Sequence, residues 1–165
     1  MKIDSLEKLL VHELKDLYSA ESQIIKALPK MEEAASSEEL KTAFREHLEE
    51  TQTHAQRLED ALDQLGFKTG GEHCDGCEGL IEEGEQVIKE IEKGEVRDAA
   101  LIAAAQRVEH YEMAGYGSVV SFARQLGRDE MADLLQQTLE EEENADSLLT
   151  EIAESSVNES AEEGS

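Results

Sequence analysis

The sequence predicts an all-α protein, a four-helix bundle in which a long crossover joins two helical hairpins. The 165 residues include one proline and many Leu, Ala, Glu and Gln residues, a composition that favours long helices over short strands. Apolar residues recur at steps of three and four along four long segments, as on the buried face of a helix. About thirty residues separate the second segment from the third, whereas up-down-up-down bundles need only short loops.

The first two helices form one hairpin. The first helix begins near Asp4 or Ser5, and Asp4 is its expected N-cap. After a short turn, Ser36 or Ser37 caps the second helix, and Gly66 ends it. The apolar stripe of the first helix comprises Ile3, Leu6, Leu10, Leu14, Leu17, Ile24, Leu28 and Met31. The stripe of the second comprises Leu40, Phe44, His47, Thr51, His54, Leu58, Leu62 and Leu65.

The other two long helices form the second hairpin. A helix over about residues 96–125 is ended by Gly127, and a further helix begins near Asp129. The crossover, residues 66–95, contains a short amphipathic helix with apolar residues Leu80, Val87, Ile88 and Ile91. Two tight hairpins joined by one long crossover are the topology of ferritin-like bundles.

The apolar pattern also sets the domain limits. We expect the bundle to span residues 1–153 and residues 154–165, rich in Ser, Glu and Gly, to form a disordered acidic tail. The chain has no apolar run of the length that a signal peptide or a membrane span requires. Cys74 and Cys77 are too few for a disulfide framework, so we expect a cytoplasmic protein.

The charge excludes two classes of partner. Forty acidic side chains against fifteen basic ones give a net charge of −25. Binding to nucleic acid or to an anionic membrane requires clustered positive charge, so we expect neither partner. A carboxylate-rich surface is explained by solubility, for example in a salty cytosol, and by itself indicates no activity.

Glutamates interrupt the apolar stripes at mid-length. Glu21, Glu112 and Glu142 each hold a position where the surrounding pattern places an apolar residue. Glu50 lies between His47 and His54 on the second helix, so that helix is also polar there. Between 13 and 15 residues separate each of the four glutamates from the turn of its hairpin. At about 1.5 Å per residue the carboxylates of a hairpin differ in height by about 3 Å or less.

Four buried carboxylates at one level repel one another and lose their hydration. The stripes carry no Lys or Arg to neutralise them, so we expect two multivalent cations between the helices. The alternative is a polar layer that fixes helix register with water or protons. Helical spacing adds three further residues, and His47 and His110 are expected to be hydrogen-bonding partners. The predicted ligands are Glu21, Glu50, His54, Glu109, Glu112, Glu142 and Asp146.

Two other groups of residues have alternative interpretations. Tyr18 and Tyr111 are either core aromatics with satisfied hydroxyls or redox-adjacent donors near the metals. His73, Cys74 and Cys77 supply at most three ligands on a glycine-flanked loop, so a zinc site would need a fourth from elsewhere. The alternative is an ordinary reduced pair of cysteines.

These features together resemble a known family, the YciF/YciE-type proteins of the ferritin-like superfamily, a domain of unknown function. The matching stretches are residues 13–21, 47–51, 79–84, 109–112 with Tyr116 and Gly117, and 139–142 with Asp146. The resemblance implies a homodimer, a dimetal centre on the inward carboxylates and an association with stress responses. It implies no firmly assigned activity.

One departure from the superfamily concerns the histidines. The usual di-iron bundle repeats Glu-x-x-His on its second and fourth helices, but Thr53 and Ala145 stand three residues after Glu50 and Glu142. Oxygen ligands therefore dominate, which favours iron or manganese, with zinc able to occupy the site in purified protein.

Three functions are compatible with these features. The first is a stress-related protein whose dinuclear Fe or Mn centre reacts with peroxide or dioxygen, or oxidises ferrous iron. The second is a non-catalytic helical interaction module with a purely structural metal site. The third, iron storage, requires a hollow cage of many subunits.

Overall fold

The computed structural model describes residues 2–164 and confirms the all-α fold, with no strand in that range. None of its helices is long and apolar enough to cross a bilayer. The helices α1 and α2 form one hairpin, α4 and α5 form the other, and α3 lies in the crossover between them. The helices are α1 (Leu6–Ala34), α2 (Glu38–Gln64), α3 (Asp75–Glu90), α4 (Glu95–Gln125), α5 (Asp129–Ile152) and α6 (Asn158–Glu163).

The caps of the first hairpin agree with the prediction in one helix and differ in the other. Ser37 caps α2, and its hydroxyl accepts a hydrogen bond from the Leu40 amide at 3.3 Å. The N-cap of α1 is Ser5, which accepts from the Lys8 amide at 3.2 Å, rather than the expected Asp4. Asp4 lies one residue too early, and its carboxylate pairs with the Lys8 ammonium instead.

A buried carboxylate on α4 holds the turn between α1 and α2. Asp98 is 2% exposed and accepts hydrogen bonds from the backbone amides of Ser36 (2.8 Å) and Ser37 (2.7 Å). In the sequence Asp98 resembles any acidic residue in the first turn of a helix. The sequence around Asp98 therefore gives no sign of these hydrogen bonds. They link the two hairpins at one end of the bundle.

Two apolar clusters fill the bundle, one toward each end. One contains Ile24, Leu28, Leu40, Phe44, Leu101, Leu149 and Ile152, among others. The other contains Leu10, Leu14, Leu17, Leu58, Leu62, Val119 and Leu135, among others. The polar residues of the interrupted stripes lie between these clusters, so they occupy a poorly hydrated part of the bundle.

The crossover helix begins earlier than the apolar pattern alone indicates. Cys74 is its N-cap and Cys77 lies in its first turn, so the two cysteines are not on the loop that the sequence pattern predicted. Both are free and fully buried. The Cys74 amide donates to the Ser19 hydroxyl at 3.0 Å, and its sulfur lies 3.0 Å from the Tyr111 hydroxyl, which attaches α3 to α1 and α4.

The segment after α5 was expected to be a disordered tail, but residues 153–163 are helical. Residues 153–157 form a π-helical turn that continues α5, and α6 follows. Val157 is 4% exposed, and the segment packs against α4. The physical reason is a stripe of Ala153, Val157 and Ala161 at four-residue spacing, too sparse to stand out in an acidic stretch.

Candidate metal centre

The interrupted stripes meet at mid-bundle, where six charged or titratable side chains are buried together. All four long helices contribute, and each of the six is at most 7% exposed. Each stripe turns its mid-length residues inward because their neighbours three and four residues away pack in the apolar clusters. The six residues are Glu21, His47, His54, Glu109, Glu112 and Glu142.

One group of possible ligands joins α2, α4 and α5. His47, Glu109, Glu112 and Glu142 each bring one ligand atom within 4.8 Å of the others. His47 Nε2 lies 2.9 Å from Glu109 Oε1 and 3.7 Å from Glu142 Oε2. One imidazole and three carboxylates form a donor set suited to iron or manganese.

A second group joins α1, α2 and α5. Glu21, His54 and Glu142 meet the same distance limit. His54 Nδ1 lies 2.9 Å from Glu142 Oε1 and 3.4 Å from Glu21 Oε1. Glu142 belongs to both groups, with Oε1 toward His54 and Oε2 toward His47. The arrangement therefore offers two adjacent cation positions that share one carboxylate.

Unpartnered buried atoms support a cation at both positions. Within the described chain, nine buried side-chain oxygen or nitrogen atoms have no hydrogen-bond partner. The short distances from His47 Nε2 and His54 Nδ1 to the inner carboxylates are therefore contacts without hydrogen-bond geometry. Such atoms are costly unless a ligand satisfies them, and a metal ion would do so. Eight of them belong to the six residues: Glu21 Oε2, His47 Nε2, His54 Nδ1, Glu109 Oε2 and both oxygens of Glu112 and Glu142.

The shifted pKa values of the buried groups also support cations at this site. Burial, together with the charges of Glu142 and Glu21, raises the pKa of Glu112 well above its usual range. Burial alone would lower the pKa of His54, but its contacts with Glu142 and Glu21 raise it to about 10. Burial would raise the pKa of Glu142, yet contacts with Glu109 and His54 lower it to about 2. A metal-free centre therefore holds protons, which a bound cation would displace.

An outer carboxylate orients His54. Its Nε2 lies 2.8 Å from Glu141 Oε2, and Arg57 holds both oxygens of Glu141 at 2.6 and 3.0 Å. A proton on Nε2 leaves the Nδ1 lone pair directed at the centre. Neither Glu141 nor Arg57 lies on an apolar stripe, so the sequence pattern did not indicate their role, although Glu141 precedes a predicted ligand.

Five of the seven predicted ligands lie in the two groups, and Glu50 and Asp146 do not. The Glu50 side chain is 47% exposed, with Oε2 3.4 Å from His47 Nδ1. Asp146 lies 3.1 Å from His110 Nε2, and its Oδ1 is buried without a hydrogen-bond partner among the described residues. His47, expected to be a hydrogen-bonding partner, lies within the first group.

Of the three tyrosines, Tyr116 contacts the centre. Its hydroxyl is buried and donates to Glu21 Oε1. Tyr18 instead donates to Glu59 at 2.8 Å, while Tyr111 contacts Cys74. In the sequence, Tyr116 was indicated only as part of a family motif. Its signal was its position on the stripe one turn after Glu112.

The cysteines lie outside every group of possible metal ligands among residues 2–164. The group that includes His73, with Asp75 and Glu78, is exposed and contains no cysteine. Burial raises the pKa of both the Cys74 and the Cys77 thiol, so both are poor nucleophiles. These contacts fit the alternative interpretation of a reduced, structural pair.

Removing the outer carboxylate tests how His54 is oriented. We expect Glu141→Ala to weaken metal binding by about 10-fold to 100-fold, because outer partners of metal-bound histidines typically contribute that much. The measurement is a metal titration followed by calorimetry. The imidazole ¹⁵N shifts of His54 should also change, because Nε2 loses its acceptor. Glu140→Ala, at an exposed neighbouring position, is the control. Equal affinities in the two variants would contradict the assigned role.

The fold and the site together define a class of protein: a ferritin-like four-helix bundle with a centre of buried carboxylates and histidines. The chain belongs to the family described as a domain of unknown function, DUF892, which matches residues 5–162. That match includes most of the segment expected to be a tail.

Individual relatives agree with this assignment. Protein YciF of Escherichia coli strain K12 is 47% identical over 163 residues, which is 98% of each chain. The crystal structure of the E. coli stress protein YciF superposes with a TM-score of 0.90 and covers 94% of this chain and 99% of that one. YcfI from Rhodopseudomonas palustris is 44% identical, with a TM-score of 0.87 over 90% of this chain and 95% of that one.

Proposed function

We propose that the protein binds two metal ions, iron or manganese, and that the loaded centre reacts with peroxide or dioxygen or oxidises ferrous iron. The observation that carries this proposal is the set of unpartnered buried atoms around the shared Glu142 carboxylate. Four carboxylates and two imidazoles favour Fe or Mn, although zinc can occupy such a site in purified protein. When bound, these metals supply the redox chemistry.

The residues of the chain would hold and isolate the centre. Glu142 would bridge the two positions, and Glu141 would keep the His54 Nδ1 lone pair free. The Tyr116 hydroxyl holds one oxygen of Glu21, so the other oxygen is left for a cation. The apolar clusters on either side shield most of the layer from bulk water. Such isolation strengthens the electrostatic interactions of the residues within it.

We also propose a role in stress and a homodimeric assembly. The stress role is supported by the 47% identity to YciF, which is described as a stress protein. The dimer is a proposal from the family resemblance, and a light-scattering mass of two chains would support it. A much larger assembly would favour iron storage in a cage. The net charge of −25 supports neither a nucleic-acid nor a membrane partner.

A second candidate function is a non-catalytic module with a structural metal. The R. palustris relative is proposed to be a structural protein, which favours this alternative. The two candidates differ in one respect. Both require bound metal, but only the first requires the metal to change oxidation state.

The test uses protein purified without chelator. We expect elemental analysis to find two metal ions per chain. After anaerobic loading with ferrous iron, addition of peroxide should produce near-ultraviolet absorption from ferric iron faster than in buffer alone. Full occupancy without that change would favour the structural module. Absence of bound metal, even after loading, would contradict both candidates.

A further inference from the structure

A small cavity connects the metal centre with the protein surface. Its volume is about 110 Å³, and all four long helices contribute to its walls. Its exposed lining residues, among them Glu46, Glu50 and Leu148, belong to α2 and α5, so it opens between these helices. The space accommodates a few water molecules or a hydrated ion that has lost part of its hydration shell.

The inner end of the cavity is formed by two residues of the first group of possible ligands. His47 and Glu109 line the cavity, and each is more than nine-tenths buried. His47 Nε2 and Glu109 Oε2 have no hydrogen-bond partner within residues 2–164. The ligands of the second group, Glu21 and His54, do not line it and are fully buried. Only the first group is therefore reachable from this side.

The outer end is acidic. Glu46 and Glu50 lie one turn apart on α2, and no Lys or Arg is among the cavity's lining residues, all of which the structure describes. A more open groove of about 380 Å³ shares Glu46 with the cavity and adds Glu38 and Glu39. Lys41 pairs with Glu38 at 2.8 Å, whereas neither Glu46 nor Glu50 has such a pair with Lys or Arg among the described residues.

We propose that this cavity is the path by which a divalent cation reaches the centre, with Glu46 and Glu50 as transient ligands at its mouth. The proposal rests on the metal centre proposed above. It follows that the position next to His47 and Glu109 fills first. The second position, next to His54, is then filled across the shared Glu142 carboxylate.

The path also has a physical rationale. A cation that crosses an apolar bundle without ligands loses its hydration at a large cost in free energy. Carboxylates spaced along the path replace water ligands stepwise, and their field raises the local cation concentration. Apart from the exposed Asn144, the remaining wall is apolar, with Leu28, Phe44 and Leu149 among its residues, so its buried part offers no competing ligand.

The test measures uptake of Mn²⁺ by the metal-free full-length chain, from the loss of the EPR signal of the hydrated ion. Two variants alter the path without touching the centre: Glu46→Gln removes a charge, and Ala145→Leu narrows the cavity. Each has a matched control that makes the same change at an exposed position elsewhere: Glu49→Gln on α2 and Ala114→Leu on α4. Thermal unfolding verifies that all four variants fold.

We expect Glu46→Gln to take up Mn²⁺ about threefold to tenfold more slowly than Glu49→Gln at low ionic strength. The difference should shrink at high salt, because screening removes the steering effect. Ala145→Leu should also be slower than Ala114→Leu, with two Mn²⁺ bound at equilibrium in every variant.

Two results would overturn the proposal in distinguishable ways. Equal uptake rates in each variant and its control, with two ions bound, would contradict the path and leave the metal centre in place. Failure of the unmodified chain to bind Mn²⁺ at any concentration would contradict the centre, and the path with it.

Discussion

Glu142→Gln is expected to lose both metal ions rather than one. The carboxylate is fully buried and lies in both groups of ligands, with Oε1 2.9 Å from His54 Nδ1 and Oε2 3.7 Å from His47 Nε2. A glutamine has the same shape but lacks the charge and one acceptor oxygen. Outer partners of metal-bound histidines typically contribute about 10-fold to 100-fold in metal affinity. We expect Glu142→Gln to lower the affinity at both positions by more than that.

Elemental analysis and metal titration of the purified variant measure this loss. Glu143→Gln is the control, because it makes the same change at the next residue of α5, where the side chain is exposed. One ion per chain in Glu142→Gln would show that the carboxylate serves a single position. Two ions would contradict its assignment as a ligand.

Helix periodicity predicted most of the fold. Four stripes, the glycines after α2 and α4 and the long crossover together indicated the two hairpins that the structure contains. The last helical segment was missed because its apolar stripe of Ala153, Val157 and Ala161 is too sparse to stand out in an acidic stretch. The role of Asp98 was missed because its amide partners lie more than 60 residues away in sequence. Both depend on tertiary contacts, which a local pattern does not contain.

The sequence predicted which face of each helix carries the site, and the two errors follow from rotation about the helix axis or displacement along it. Positions 47 and 54 are seven residues apart and share a face, whereas Glu50 is rotated by about 60° from His47. That rotation turns Glu50 toward the cavity mouth. Asp146 lies one turn beyond Glu142, about 6 Å along the axis, and meets His110 instead.

The histidine arrangement also explains the missing Glu-x-x-His repeats. Both imidazoles come from α2, seven residues apart, with one in each group of ligands. Their ring centroids are 6.3 Å apart, so one helix would supply the nitrogen ligand of both positions. Because α5 then needs no histidine, Ala145 leaves room for the cavity that it lines.

Glu112→Met is expected to stabilise the metal-free protein while it impairs metal binding. Both carboxylate oxygens of Glu112 are buried without a hydrogen-bond partner in the described part of the chain. Folding without metal must therefore either protonate this carboxyl or remove the hydration of its charge. Methionine is unbranched and of similar length, and it packs without that cost. When buried charges in other proteins are replaced by apolar residues, stability often rises, so the free energy of unfolding of Glu112→Met should increase by about 1–4 kcal/mol.

Urea unfolding in the presence of a chelator measures the gain in the free energy of unfolding. Glu143→Met provides the control, because an exposed substitution changes stability by about 0.5 kcal/mol or less. Excess Mn²⁺ should stabilise the native protein and the control more than Glu112→Met, which lacks a ligand of the first group, since a ligand stabilises the folded state in proportion to its binding there. A metal-free Glu112→Met less stable than the native protein would show that the carboxyl is satisfied without a cation. The two measurements together therefore separate a metal centre from a polar layer that only fixes helix register.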